Sequence, residues 1–245
     1  MRVYYDLHMH SCLSPCGDED MTPNNMVNMA MLDGLHVVAI SDHNTTGNAE
    51  AFLQVAEQAG ITAFAGMELE TAEDVHILCL FYDLESARAF DREVVAPALP
   101  PIKNRVDIFG RQLLMNAEDE IIGEDDRYLI NATSITVDAL PELIRSYGGI
   151  AIPAHIDKST KSILAMLGFI DESWGYTLLE LSKNAPADFI DTHPELKNCY
   201  FLYDSDAHYL QDVAEEGEKN FLELPDAKRD TVWNFLREMA FNTIK

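Results

Sequence analysis

Short apolar runs alternate with amphipathic stretches along most of the chain. Residues 3–5, 37–40, 61–65, 75–81, 150–155, 178–181, 200–203 and 221–224 are dominated by Val, Ile, Leu, Phe, Tyr and Ala. Runs of this kind, with little polar alternation, read as strands buried on both faces. Helix signals fall between them. Thr22 suits an N-cap with Pro23 at the first helical position, and a helix over 24–33 stops at Gly34. A second helix spans 49–59 and ends at Gly60; others are expected over 138–147, 163–167 and 226–241. Alternating strands and helices predict parallel strands joined by right-handed crossovers. About seven or eight such units favour an α/β barrel over a doubly wound sheet.

One segment breaks the rhythm. Between about 84 and 134, Pro97, Pro100 and Pro101 separate helical patterns at 85–95 and 103–115, and no strand alternates with them. The acidic runs Glu118-Asp119-Glu120 and Glu124-Asp125-Asp126 follow. The expectation is one domain, residues 1–245, carrying a mostly helical insertion over about 84–134. With no histidine in it, the insertion should be peripheral and supply no metal ligand, whether it serves as a lid or only as a solvated excursion.

The chemistry is concentrated at strand ends. In Asp6-Leu7-His8-Met9-His10-Ser11 the two histidines are two apart and leave a strand on the same side. Converging neutral imidazoles form half of a transition-metal site. The same position after a strand recurs for His43, Glu68, His155, Asp206 and His208, and His76 and Asp18 lie near others. In a parallel barrel these positions gather at one mouth. Nine ligand-type side chains exceed what one zinc ion needs, which implies two or three metals sharing a carboxylate. Asp42 precedes His43 and is read as orienting an imidazole. Lys158 and Lys183 follow strands closely, so each is a candidate contact to substrate phosphate.

Charge and cysteine usage narrow the partners. A formal charge of −25 is expected to repel duplex nucleic acid and anionic membranes, while leaving a small phosphorylated substrate open. No run of 18 apolar residues is present, and the first residues lack the apolar region of a signal peptide, so a cytoplasmic location is expected. The four cysteines show no disulfide or zinc-finger spacing. They are expected to be reduced, with Cys12 and Cys16 as thiols that bind no metal.

Six stretches together resemble the PHP (polymerase and histidinol phosphatase) family: Asp6-Leu7-His8-Met9-His10-Ser11, Ser41-Asp42-His43-Asn44-Thr45, Gly66-Met67-Glu68, Val75-His76-Ile77-Leu78, Pro153-Ala154-His155 and Ser205-Asp206-Ala207-His208. The resemblance implies a distorted (β/α)7 barrel with a trinuclear metal site that hydrolyses phosphate esters. It implies that His8, His10, Glu68 and Asp206 hold a first metal. Glu68 would bridge to a second, completed by His76 and His155. His43 and His208 would hold a third with an acidic loop residue, here Asp18, with Glu19 and Asp20 as rivals. Three divalent ions are expected, zinc, manganese or iron, with His8, His10, Glu68, Asp206 and His208 serving catalysis. The reaction would use hydroxide generated on the metals. An amidohydrolase-like cleavage of a C–N or carboxyl ester bond is the alternative, since the same architecture serves both.

Overall fold

A computed structural model describes residues 1–217 and 219–241. Its strands are β1 (Arg2–Asp6), β2 (Val37–Ile40), β3 (Thr62–Glu70), β4 (His76–Phe81), β5 (Leu113–Met115), β6 (Ile121–Glu124), β7 (Ile150–Pro153), β8 (Leu178–Ser182), β9 (Tyr200–Asp204) and β10 (Phe221–Glu223). Six of them form a curled sheet in the order β10-β1-β2-β3-β4-β7, and β8 and β9 pair in parallel beside it. The two sheets meet at both edges. Met9 and Ala207 bridge in parallel, with His10 N–H donating to the Ala207 carbonyl at 2.9 Å. On the other side Ile156 N–H donates to the Glu180 carbonyl at 2.9 Å. The result is a distorted ring of strands in an α/β fold, as expected.

The strand pattern departs from strict parallel alternation at β4, which is antiparallel to both β3 and β7. Five residues separate β3 from β4, too few for a helical crossover. The link is a tight turn in which Thr71 N–H donates to the Val75 carbonyl at 2.9 Å and Asp74 takes φ 62. Because β4 runs backwards, its first residue, His76, stands at the same end as the last residues of β1, β2, β3 and β7. β10 is also antiparallel, pairing with β1 at the edge.

The sheet's two faces build separate apolar layers, as a side-chain period of two requires. Val38, Ile40, Ala65, Met67, Ile77 and Cys79 face outward and pack with Met26, Val27, Phe52 and Val55 of the helices Pro23–Leu32 and Ala49–Ala59. Val3, Tyr5, Leu7, Phe64, Ile150 and Leu178 belong to the other layer, which Val232, Trp233, Leu236 and Met239 of the last helix, Arg229–Ala240, complete. This helix lies against the strands' beginnings: Thr177 Oγ1–H donates to the Met239 carbonyl and Arg229 donates to the Ala63 carbonyl. It seals the end of the ring opposite His76.

Helix Pro23–Leu32 starts as predicted, with the Thr22 hydroxyl accepting from Asn25 N–H at 3.3 Å. In the excursion, residues Leu84–Phe90 form an α-helix that continues as a π-helical turn, Asp91–Val95. The helix expected over 103–115 is reduced to Val106–Phe109, and Gly110, at φ 80, ends it. The chain then forms an antiparallel hairpin, β5–β6, that the sequence reading missed. The excursion is also tied to the ring. The Asn44 amide donates to the carbonyls of Leu129 and Asn131, and the Asn48 amide donates to that of Leu113.

Candidate metal centre

Strand ends deliver six histidines and two carboxylates to one mouth. Their centre is Glu68, which lies inside β3 and is almost completely buried. Gly66 permits the close packing just before it: a Cβ there would stand 2.8 Å from the Cys79 carbonyl oxygen and 3.0 Å from that of Ile40. Five imidazole nitrogens surround the Glu68 carboxylate. His76 Nδ1, His155 Nε2 and His8 Nε2 lie 2.8, 3.0 and 3.3 Å from Oε1. His43 Nδ1 and His10 Nε2 lie 3.2 and 3.4 Å from Oε2. Asp206 faces the same group, with Oδ1 3.2 Å from His10 Nε2 and 3.4 Å from His8 Nε2.

Hydrogen bonds behind the rings determine which nitrogen faces the mouth. His8 Nδ1 donates to Glu180 Oε2 at 2.8 Å, so its Nε2 presents a lone pair when the ring is neutral. The Ser14 hydroxyl donates to Asp42 Oδ1 at 2.7 Å. Its oxygen is therefore left to accept from His10 Nδ1 at 3.0 Å, which again aims Nε2 inward. Asp42 thus reaches His10 through Ser14. His208 Nδ1 donates to the Asp206 carbonyl at 2.8 Å. His155 and Asp206 hold positive φ values of 33 and 53, and Asn44, beside His43, holds 50. Such backbone is uncommon outside glycine, and Asn, Asp and His are the side chains that adopt it most readily.

The electrostatics follow from burial and neighbours. Burial pulls His8 down, but Glu180, Glu68 and Asp206 outweigh it and hold its pKa well above the ordinary value. His10 is raised in the same way by Asp206 and Glu68. His76 is also opposed by burial, yet Glu68 and Glu70 push it up to about 9. Glu68 and Asp206 are lowered despite burial, because of the surrounding histidines. His43 and His208 go the other way. Burial and the charge of His10 depress both, His208 to about 4.

This donor set fits divalent ions. Buried His43 Nδ1, His155 Nδ1, His76 Nε2 and Asp206 Oδ1 have no hydrogen-bond partner, an expensive condition unless something else binds there. His8 Nε2 and His10 Nε2 stand 3.2 Å apart, both aimed at carboxylate oxygens. Three sets of ligand atoms lie within 4.8 Å of one another: His8, His10, Glu68 and Asp206; His43, Glu68 and His76; and His10, Cys16, His43 and His208. Residues 84–134 contribute to none of these sets among the described residues.

Not every candidate joins the mouth in the expected way. Asp18 belongs to none of the three sets. Its Oδ1 accepts from Asp20 N–H at 3.0 Å, closing a local turn, and Glu19 and Asp20 are exposed. Cys16 is grouped with His10, His43 and His208, whereas Cys12 is buried against Leu113 and Met115. His155 contacts Glu68 but stands outside the set formed by His43, Glu68 and His76. Lys158 reaches the mouth and pairs with Asp206 Oδ2. Lys183 does not pair with any of the carboxylates there: its Nζ donates to the Asp212 carbonyl at 2.8 Å and lines a separate cavity of about 330 Å³ with Tyr203 and Lys219.

Two residues behind the mouth were missed. Glu180 supports both His8 and the backbone N–H of His155, the latter at 3.0 Å. Glu70 lies 3.5 Å from His76 Nε2 and pairs with Lys161. Glu180 stands inside an otherwise apolar strand and Glu70 closes β3 two residues after Glu68; both are buried, and a buried charge needs a partner. That was the available signal.

The chain belongs to the PHP domain family, whose model matches residues 6–168. A 5'-3' exoribonuclease from Haemophilus influenzae is 33% identical over 86 residues, which are 34% of this chain and 30% of that protein. Among solved structures, the lesion-specific endonuclease Q of Pyrococcus furiosus superposes with a TM-score of 0.69 at 20% identity, over 96% of this chain and 55% of that one. A protein from Bifidobacterium adolescentis assigned as a metal-dependent phosphoesterase has a TM-score of 0.63 at 20% identity, covering 98% and 96% of the two chains.

These comparisons correct one expectation. Endonuclease Q has also been solved with a 27-mer duplex carrying an abasic lesion at its active site, and this complex superposes with a TM-score of 0.67. This chain spans 57% of that protein at 19% identity, and a charge of −25 is no ground for excluding duplex nucleic acid as a partner. Net charge is a sum over the whole surface, while fields beyond about 8 Å are screened at physiological salt. The potential at the mouth is set by whatever ions its ligands hold. Among the described residues, no helix is long and apolar enough to cross a membrane.

Proposed function

We propose that this chain hydrolyses a phosphate ester at a site whose residues would hold three divalent ions. Family membership and the shared fold put it among metal-dependent phosphoesterases. The ligand set, metal number and substrate are our reading. One observation carries it: five imidazole nitrogens converge on the buried Glu68 carboxylate. One carboxylate among so many nitrogen donors is suited to bridging two ions.

His8, His10, Glu68 and Asp206 would hold the first ion. Glu68 would bridge to the second, with His76, His155 and His43 as neighbouring donors. His43 and His208 would hold the third. Bound divalent ions acidify water to near neutrality and polarise phosphoryl oxygens. The protein's own part is orientation. Glu180 and Ser14 fix the tautomers of His8 and His10, and Asp42 fixes Ser14. His208 donates from Nδ1 to the Asp206 carbonyl, which leaves its Nε2 to face an ion. Lys158, beside Asp206, is placed to meet a phosphate oxygen left free by the metals.

The substrate class is a small phosphomonoester or a nucleotide-type diester. Oligonucleotides belong to the test because the partial relative is an exoribonuclease. Metal-loaded protein should be assayed on nitrophenyl mono- and diesters, mononucleotides, single-stranded RNA, abasic duplex DNA and a matched set of amides and carboxyl esters. Metal-dependent release from at least one phosphoester is expected. Turnover confined to amides or carboxyl esters would overturn the proposal and favour the amidohydrolase alternative.

A further inference from the structure

We infer that Cys16 completes the third metal position with His43 and His208, making it a thiolate–imidazole site for a thiophilic divalent ion. The inference rests on the metal-dependent reading above and specifies the chemistry of one of its positions.

The geometry comes first. Cys16 Sγ lies within 4.8 Å of ligand nitrogens of His10, His43 and His208, and those nitrogens lie within the same distance of one another. His10 is already engaged by the other set, since its Nε2 faces Glu68 and Asp206. Cys16, His43 and His208 remain. His43 is 3% exposed, and its Nδ1, 3.2 Å from Glu68 Oε2, makes no hydrogen bond, so this buried ring is left unsatisfied where it faces the mouth.

The loop explains why Cys16 reaches the site and Asp18 does not. Ser14 N–H donates to the Ser11 carbonyl and Gly17 N–H to that of Ser14, two successive turns that fold residues 11–17 back over His10. Gly17 is required in the second turn, because a Cβ there would stand 2.2 Å from the Ser11 carbonyl oxygen. Asp18 N–H then donates to the His208 carbonyl at 2.9 Å. That bond pins the loop to His208 with Cys16 on the inner side, while the Asp18 carboxylate accepts from Asp20 N–H.

Replacing a carboxylate by a thiolate leaves the formal charge of the position unchanged and alters its preference. Thiolate with imidazole favours zinc and similar borderline ions, while oxygen ligands suit magnesium, calcium and manganese. The other two positions keep carboxylate oxygens from Glu68 and Asp206. One mouth would then hold two positions of mixed oxygen–nitrogen character and one of sulfur–nitrogen character.

Cobalt(II) reports this difference directly. The full chain, stripped of metal and saturated with cobalt, should show a thiolate-to-cobalt charge-transfer band in the near ultraviolet. Cys16→Ser should abolish the band and lower bound cobalt by one equivalent. Cys16→Asp should restore the equivalent without the band, which separates loss of a ligand from loss of the fold. Asp18→Asn should change neither reading. A cobalt-saturated wild type without the band, or a band that survives Cys16→Ser, would overturn the inference. So would an Asp18→Asn variant that loses one equivalent. The band is read without substrate. Protein that shows it yet cleaves no phosphoester would refute the proposed function and leave the role of Cys16 intact; cleavage without the band would do the reverse.

Discussion

The two ends of the ring use the same strands for opposite purposes. At the closed end Val3, Phe64, Ile150 and Leu178 meet Trp233 and Leu236. At the mouth His8, Glu68, His155 and Asp206 extend or end those or adjacent strands. The closed end is self-sufficient: each buried large apolar side chain contributes about 1.5–3 kcal/mol by leaving water. The mouth is not. It buries imidazoles and carboxylates whose lone pairs face one another, an arrangement that is costly without cations. Stability is therefore expected to reside at one end and chemistry at the other, with bound metal offsetting the cost of the mouth.

The largest expected effect breaks the mouth alone. Glu68→Gln should reduce phosphoester hydrolysis to background and lower bound metal by more than one equivalent in elemental analysis. Loss of a single equivalent or none would show that the mouth is not organised around Glu68. The converse change at the closed end is Trp233→Ala, which removes a ring packed 5.4 Å from Phe64. It should cost about 3–5 kcal/mol in urea unfolding. Metal content per folded molecule should stay unchanged, and a parallel loss of metal would refute the division between the two ends.

Smaller effects sharpen the comparison. Glu180→Gln keeps the shape of the group behind His8 and should weaken metal affinity by roughly 10- to 100-fold. Unaltered affinity would mean that His8 is oriented without it. Lys158→Ala should keep the metals and lower kcat/KM by about 10- to 100-fold, the worth of a charge-assisted contact. Unchanged kinetics would leave phosphate to the metals.

The smallest effect is a pH dependence. In metal-free protein His76 is raised from its ordinary 6.5 to about 9. Its contribution to stability is fully present below 6.5 and is lost as pH rises through 9. Metal must displace that proton, so affinity should rise as pH rises toward 9. Calorimetric titration of zinc in two buffers of different ionisation enthalpy should detect proton release at pH 7. Identical heats in both buffers would rule it out.

Much of this molecule was legible before its structure. The strand ends stood out because polar, metal-type residues interrupt apolar runs at His8, His43, His155 and Asp206. What lay behind them was harder to read. Ser14 matters only because the loop folds back over His10, and nothing in local spacing signals that contact. Cys16 was assigned no metal role because cysteines in a reducing compartment are usually free thiols, and Asp18 was preferred because the loop of the resembled family carries an aspartate there. The reversal of β4 was not read, although the absence of a helical stretch between Glu70 and His76 was its signal. The hairpin β5–β6 was not readable, because its pattern over 113–115 also suits a helix.

That reversal has a consequence for the order in which the molecule assembles. The hairpin β3–β4 brings Glu68 and His76 together through local contacts, which form early because little chain entropy is lost in closing them. The set containing His8 and Asp206 joins opposite ends of the chain and must wait for the ring to close. The half of the centre built around β3–β4 should therefore exist before the other half. Pulse-labelled hydrogen exchange during refolding should find amides of residues 62–81 protected ahead of those at 200–207. Simultaneous protection would show that the two halves arise in one step.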